Sequence, residues 1–274
     1  MHPLATSLWI YAGICAATWI LSLITGEHSW VDRIWSLIPI PYLAVFAGAA
    51  HFKDARLNVM LVLVVLWGAR LTFNFARKGG YARGGEDYRW PILRQRMNNW
   101  QFQLFNLFFI VLYQNLLLLL ISLPAYTAFK QQGGFGVLDV LATLVFLGFL
   151  LGETIADQQQ WNFHQWKKAE VSAGRTPQPG FLRTGLFRYS RHPNFFFEQA
   201  QWWVIFFFGA IAAGSVLQPT ILGAVLLTLL FVGSTRFTES ISAGKYPDYA
   251  DYQATTSAVV PWPPKKAAPS AKTA

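Results

Sequence analysis

Long apolar stretches separated by short polar links dominate the chain. A helix that crosses the hydrocarbon core of a bilayer needs about 20 mostly apolar residues, and the chain offers seven such stretches. Pro39 and Pro41 interrupt the second and predict a kink or a short, tilted span. The fifth is expected to continue as a polar helix to Lys168. The predicted spans are residues 4–24, 34–50, 57–75, 102–123, 137–156, 193–213 and 216–235.

The polar links differ in charge, and the difference predicts an orientation. Lysine and arginine are concentrated in residues 77–100, in residues 167–192 and in the tail after the last span. With seven spans, these segments share one side of the bilayer, which the positive-inside rule identifies as the cytoplasm. We expect an all-α, polytopic seven-helix bundle with its N-terminus outside and its C-terminus in the cytosol. Residues 1–264 would form one domain, and residues 265–274 a disordered tail.

Composition agrees with a membrane protein. The chain is 54% hydrophobic and 13% charged, against about 25% charged in soluble domains. The net charge of +9 comes from the basic links, so we expect membrane lipids rather than nucleic acid as partners. Cys15 is the single cysteine and excludes a disulfide framework, and the five scattered histidines lack metal-ligand spacing. We expect a monomer whose first apolar stretch is retained rather than cleaved as a signal peptide.

Residues 185–194, with the sequence GLFRYSRHPN, join a basic turn to the sixth span. Pro193 fixes φ and lacks an N–H, so it favours the first helical position with His192 at the cap. The free N–H groups and positive dipole end of that helix, beside Arg188 and Arg191, predict an anion site suited to phosphate. The alternative is that both arginines only extend along the membrane edge to reach water.

Ionisable and amide side chains also lie inside predicted spans, where they are costly and therefore functional candidates. Asn194 and Glu198 are four residues apart and share a helix face. The other candidates are Arg70 and Glu153, with Asp157 at the end of the fifth span and Glu239 just after the last. Under the predicted topology they meet in one polar basin that suits a dinucleotide. Interhelical hydrogen bonds and ion pairs, such as Arg70 with Glu153, are the alternative.

Together these residues resemble the signature of the steroid 5α-reductase superfamily, in its bacterial branch of unassigned function. The signature covers residues 185–195 with Glu198 and Trp202. Three further pieces match in order, and the similarity covers roughly residues 60–264. These pieces are GGEDYRW from Gly84 to Trp90, Glu153 with Asp157, and Glu239 followed by the tail from Tyr246 to Pro261. An Arg-His-Pro turn also occurs in isoprenylcysteine and phospholipid methyltransferases.

The resemblance implies a seven-helix bundle in a bacterial inner membrane that holds NADPH in its cytosolic half. Steroid reductases polarise the substrate carbonyl with a Glu on the second span and a Tyr on the third. Here Trp67 takes the comparable third-span position, and Asp32 is the acid nearest the second span. Carried over by position, the cofactor contacts are Arg70, Glu153, Asp157, Arg188, Tyr189, Arg191, His192, Asn194, Glu198, Glu239 and Tyr249. The catalytic candidates are Asp32, Glu86 and Asp87.

The leading hypothesis is therefore an NADPH-dependent membrane reductase. A hydride would reach the β-carbon of a lipophilic, conjugated carbonyl compound that enters from the bilayer, and an acid would supply the proton. The second hypothesis is an S-adenosylmethionine-dependent methyltransferase of the isoprenylcysteine or phospholipid type, whose cofactor carries no phosphate. The third is a transporter or scaffold without catalytic activity. A Rossmann domain is excluded because no Gly-x-Gly-x-x-Gly follows a strand.

Overall fold

The computed structural model describes residues 2–82, 84–87, 89–131 and 133–265. Arg83 and Tyr88 of the basic connection, and residues 266–274 of the predicted disordered tail, lie outside the described residues. Every regular element in the described part of the chain is helical, which confirms the all-α class. The helices are α1 (Pro3–Thr25), α2 (Trp30–Ile34), α3 (Pro39–Ala49), α4 (Ala55–Arg77), α5 (Arg89–Gln95), α6 (Asn99–Gln131), α7 (Val137–Ser172), α8 (Pro193–Ala213), α9 (Ile221–Lys245) and α10 (Tyr249–Thr255).

The membrane-spanning character of the chain rests on its longest helices. Within the described residues, six helices are long and apolar enough to cross a membrane, namely α1, α4, α6, α7, α8 and α9. The chain is therefore an integral membrane protein. The predicted first, third, fifth and sixth spans correspond to α1, α4, α7 and α8, and the polar extension predicted after the fifth span reaches Ser172.

The predicted second span, residues 34–50, is helical mainly over α3. α2 ends at Ile34, a turn follows, and α3 begins with Pro39 at its first helical position, where no N–H is needed. α3 has 11 residues, and at 1.5 Å per residue it extends about 17 Å, little more than half of a hydrocarbon core of about 30 Å. The count of seven spans and the orientation of the termini therefore stay predictions.

Two predicted helix boundaries are wrong. Pro124 does not end the fourth span, because it occupies the first position of a new helical turn. The N–H groups of Tyr126 and Thr127 donate to the Leu123 carbonyl at 2.9 and 3.2 Å, so the missing N–H of Pro124 costs no hydrogen bond. α9 begins only at Ile221 rather than at residue 216, because the chain turns through Gly214 to Pro219 after α8.

α6 contains a π-helical segment, Asn106–Tyr113. Its first residue, Asn106, is buried. The Asn106 amide donates to Ser22 Oγ at 3.0 Å. Just after the segment, the buried Asn115 amide donates to Thr18 Oγ1 at 3.3 Å. Both bonds join α6 to α1. π-Helical turns are rare and often occur at functional sites.

The described residues divide into two compact units, and the boundaries fall within α7, α8 and α9. The first unit comprises Met1–Phe146 and Trp202–Leu227. Its core includes the fully buried Trp67, which packs edge-to-face on Trp202 with ring centroids 4.8 Å apart. The second unit comprises Leu147–Gln201 and the described residues from Thr228 onward. Its small aromatic core consists of Phe181, Tyr246, Tyr249 and Tyr252.

A buried ion pair in the first unit joins the start of α4 to the start of α7. Arg56 Nε and Nη2 lie 2.6 and 2.9 Å from the two carboxylate oxygens of Asp139. The same guanidinium donates to the carbonyls of Gly133 and Gly134 at 3.2 and 2.7 Å. Asp139 also accepts from the N–H of Gly136 at 2.8 Å. The two charged side chains are only 3% and 1% exposed, so this cluster fixes the loop before α7.

Candidate functional site

The turn before α8 has the predicted form. Residues Gly185–Arg188 make one turn of 3-10 helix, and α8 begins at Pro193. The N–H of His192 donates to Ser190 Oγ at 3.1 Å, and the N–H of Phe196 donates to the His192 carbonyl at 3.2 Å. His192 is therefore the cap of α8, and the proline stands where its missing N–H costs nothing.

α7 fixes the start of this turn. Gly185 has φ +62°, a conformation that side chains disfavour, and a Cβ there would lie 2.5 Å from Gln159 Oε1. The same oxygen accepts the N–H of Leu186 at 2.9 Å. Only glycine therefore fits here, and the side chain of Gln159 sets the position of the following residues.

Arg191 and Glu239 form a bidentate ion pair at the end of the turn. Arg191 Nε and Nη2 lie 2.7 and 2.9 Å from the two Glu239 oxygens. Nη1 of Arg191 donates to the carbonyls of Gln253, at 3.0 Å, and Thr256. Glu239 also lies 3.1 Å from His192 Nε2 and accepts from the Gln253 amide at 2.9 Å. Each guanidinium nitrogen thus has a protein partner.

The C-terminal segment, residues 249–265, runs along the turn; we call it the C-terminal strap. Ser190 and Ser257 form a parallel β-bridge. The Tyr252 hydroxyl donates to the Phe187 carbonyl. The backbone bonds that extend the bridge are Arg191 N–H to Ser257 O at 2.8 Å, His192 N–H to Ala258 O at 3.0 Å and Trp262 N–H to Tyr189 O at 2.9 Å. The aromatic segment that follows α9 therefore packs on this turn.

Arg188 and Tyr189 lie on the exposed side of the same turn. A cleft of about 350 Å³ adjoins the turn, because Thr184 and Gly185 line both. The remaining lining residues are Gln159, Asn162, Phe163, Trp166 and Leu182. The cleft is shallow and open to solvent, and its lining combines amide and hydroxyl groups with aromatic rings.

α7 and α8 contribute buried carboxylates to the second unit. These are Glu153, Asp157 and Glu198, each at most 5% exposed. Glu153 accepts from the amide of Gln201 at 2.7 Å. The two helices approach closely at Gly152, where a Cβ would lie 2.6 Å from the Phe197 ring. Carboxylates in such surroundings are costly, which makes them functional candidates.

The predicted catalytic acids lie in the first unit, where the loop of residues 84–87 meets α2. Trp90 Nε1 donates to Asp32 at 2.7 Å. Asp87 receives a bidentate bond from Arg89 at 2.8 and 2.9 Å, and its N–H donates to Ser29 Oγ at 2.9 Å. Burial, and next the negative charge of Asp87, raise the pKa of Asp32 above its ordinary value. Asp32 is thus suited to retaining a proton.

Glu86 anchors the same loop. One of its oxygens accepts the His28 N–H at 2.7 Å, and Arg94 Nη2 lies 2.5 Å from His28 Nδ1 and 3.4 Å from that oxygen. Burial, and next the positive charge of Arg94, lower the pKa of His28. The N–H of Gly84 donates to Glu27 at 3.1 Å. Hydrogen bonds thus hold the loop of residues 84–87 both at Gly84 and at Asp87.

Comparison with known proteins identifies the family. A family model described as "Protein of unknown function (DUF1295)" matches residues 18–256. The chain belongs to the DUF1295 family. This family is related to steroid 5α-reductase-like proteins. An uncharacterized protein of Schizosaccharomyces pombe is 40% identical over 268 residues, which cover 92% of this chain and 78% of the relative. No solved structure matches the chain.

The predicted site residues of this DUF1295 protein are distributed over both units. The first unit holds the three acidic candidates and Arg70, which is half-buried in α4. The second unit holds Glu153, Asp157, Arg188, Tyr189, Arg191, His192, Asn194, Glu198, Glu239 and Tyr249. Within the second unit, the strap and the turn bring Arg191, His192 and Glu239 together.

Sequence reasoning missed several partners of these residues. Gln253 and Thr256 bind Arg191 through backbone carbonyls, which every residue possesses, so no side-chain pattern could have revealed them. Trp90 lies in the GGEDYRW motif beside the predicted acids. Its indole N–H could have been recognised as a hydrogen-bond donor for one of them.

Proposed function

We propose that this DUF1295 protein is an NADPH-dependent membrane reductase. Its substrate would be a lipophilic, steroid- or isoprenoid-like compound with a C=C bond conjugated to a carbonyl. The observation that carries the proposal is the exposed Arg188 on the turn that leads into α8, with buried carboxylates on α7 and α8. Helix N-termini and arginine both favour phosphate. NADPH, when bound, would supply the hydride for the β-carbon of the substrate.

The chemistry of the donor set fits this cofactor. Arg188 and the N–H groups that begin α8 supply positive charge and donors for phosphate. Asn194, half-buried in the first turn of α8, and the carboxylates of Asp157 and Glu198 offer partners for ribose hydroxyls and a carboxamide. The aromatic and amide lining of the adjoining cleft suits a heterocyclic base.

Among the acidic candidates of the first unit, Asp32 is the one best suited to proton donation. A general acid must hold its proton near the working pH, and the raised pKa of Asp32 favours this. The negative charge of Asp87 contributes to the raised pKa of Asp32. Glu86 supports this effect because it anchors the loop that carries Asp87.

The proposal includes a membrane arrangement. α3 would complete a set of seven membrane segments as a short span, with the N-terminus outside and the C-terminus in the cytosol of a bacterial inner membrane. The basic connections before α5 and α8 support this orientation. Residues 1–264 would act as one monomeric reductase domain.

Calorimetric titration of the detergent-purified protein tests the proposal. We expect saturable NADPH binding that is weaker in Arg188→Ala, because a charge-assisted hydrogen bond contributes about 1.5–3 kcal/mol, which is about tenfold or more in affinity. Arg175→Ala is the matched control, since Arg175 pairs on the exposed surface with Glu170. Loss of nicotinamide absorbance with progesterone or farnesal as probes then tests turnover.

Other outcomes would contradict the reductase. Saturable binding of S-adenosylmethionine without NADPH binding would favour the methyltransferase. Binding of neither cofactor would favour a transporter or scaffold, and in that case Asn194→Ala and Glu198→Ala would alter only stability.

A further inference from the structure

The C-terminal strap bonds to five residues in the second half of the turn that precedes α8. The Phe187 and Tyr189 carbonyls accept from the strap, and the N–H groups of Arg191 and His192 donate to it. Ser190 takes part through a β-bridge and through its hydroxyl, which donates to Val259 O at 2.7 Å. The docked strap therefore stabilises the second half of the turn, whereas Gln159 of α7 holds its start.

Arg191 joins the two segments. Its side chain is 9% exposed and bonds through Nη1 to the strap carbonyls of Gln253 and Thr256. Through Nε and Nη2 it bonds to Glu239 of α9. A planar guanidinium can satisfy a carboxylate and two carbonyls at once, which a lysine ammonium cannot do with the same geometry.

Arg188, three residues earlier, has the opposite surroundings. Its side chain is exposed on the turn, whereas Arg191 is enclosed by the strap and α9. Of the two arginines, Arg188 is therefore the one whose side chain is open to an anion from solvent. To reach the guanidinium of Arg191, an anion would have to displace a buried carboxylate and two carbonyls.

We propose that Arg191 and Glu239 are positioning residues that dock the C-terminal strap onto the turn, and that the anion contact belongs to Arg188. Tyr249 then supports the strap through its aromatic packing on Phe181, with ring centroids 5.0 Å apart. This inference rests on the proposed function, and it gives Arg191, Glu239 and Tyr249 a supporting role in place of direct cofactor contact. Cofactor affinity consequently depends on a segment that does not touch the cofactor.

Two measurements on the full-length protein in detergent test the inference. Hydrogen exchange of peptides from residues 249–265 reports docking of the strap, and calorimetry reports NADPH affinity. Glu239→Gln keeps the side-chain size and removes the charge. We expect it to accelerate strap exchange and to weaken NADPH binding on the order of tenfold. Arg188→Ala should weaken binding to a similar extent with strap exchange unchanged, and Arg175→Ala, which breaks an exposed pair, should change neither.

Arg191→Lys supplies the decisive contrast. Faster strap exchange together with weaker binding supports the positioning role. Weaker binding with a fully protected strap would make Arg191 a direct ligand and overturn the inference. A loosened strap with unchanged affinity in Glu239→Gln would overturn it as well.

Failure of the proposed function can be distinguished from failure of this inference. If the wild-type protein does not bind NADPH, the reductase proposal fails, while strap exchange in Glu239→Gln still tests the docking role. Unchanged exchange there would overturn it. Gln253→Ala removes one hydrogen bond to Glu239 and serves as the milder variant if Glu239→Gln does not fold.

Discussion

The buried pair of Arg56 and Asp139 allows a quantitative test of what stabilises the first unit. Arg56→Ala removes both ionic bonds to Asp139 and leaves that carboxylate, 1% exposed, with the Gly136 N–H as its remaining partner. It also removes the donors to the Gly133 and Gly134 carbonyls. Breaking a buried pair from one side costs about 3–5 kcal/mol. We expect the midpoint of thermal unfolding to fall on the order of 10 °C.

The measurement is thermal unfolding in detergent, followed by circular dichroism, for Arg56→Ala, Asp139→Asn and the double variant. If the cost arises from an uncompensated charge, the double variant should be more stable than the sum of the single effects predicts, with a coupling energy of about 2 kcal/mol or more. Arg175→Ala is the control. Arg175 also makes a bidentate pair, at 2.6 and 2.8 Å from Glu170, but its side chain is 62% exposed.

Such exposed pairs contribute about 1 kcal/mol or less. If Arg56→Ala lowers the midpoint no more than the control does, burial does not increase the contribution of this ion pair to stability, and the reasoning is refuted. Strict additivity of the two single variants would refute it in another way, because it would show that the two side chains do not depend on each other.

Three further predictions concern single positions. Because the pKa of Asp32 is raised, ionisation of Asp32 costs stability as pH rises through the raised value; Asp32→Asn should therefore raise the unfolding midpoint at neutral pH and leave it unchanged in acid. Gly185→Ala should accelerate hydrogen exchange in the turn more than Gly174→Ala does in its own loop, since both have positive φ but only the first would clash. Gly152→Ala should lower the midpoint more than Gly148→Ala, one turn away in open space.

Apolar length predicted most of the fold, and the errors have local causes. A run of about 20 apolar residues leaves few alternatives to a membrane helix, and Pro193 marks the start of α8 because proline suits a first helical position. The same property made Pro124 misleading. A proline can end one helix or begin the next turn of it, and only the hydrogen bonds of the following residues distinguish these cases.

The candidate site was predictable where it depends on residue type and unpredictable where it depends on distant backbone. Buried acids such as Glu153 and Glu198 stand out against an apolar helix. The partners of Arg191 do not stand out in the sequence, because the carbonyl of Gln253 is 62 residues away and resembles any other carbonyl. The bond from Trp90 to Asp32 likewise joins residues 58 positions apart.

The π-helical segment of α6 acts as a phase shift in that helix. One additional residue in a turn rotates everything after it by about 100°, the angle of one residue in a regular α-helix. The side chain of Asn115 therefore faces α1 through an offset introduced before it, between Asn106 and Tyr113. Removing one residue from this segment would be expected to restore regular winding and turn the asparagine away from Thr18. A change in chain length here would thus reorganise polar contacts without replacing any polar residue.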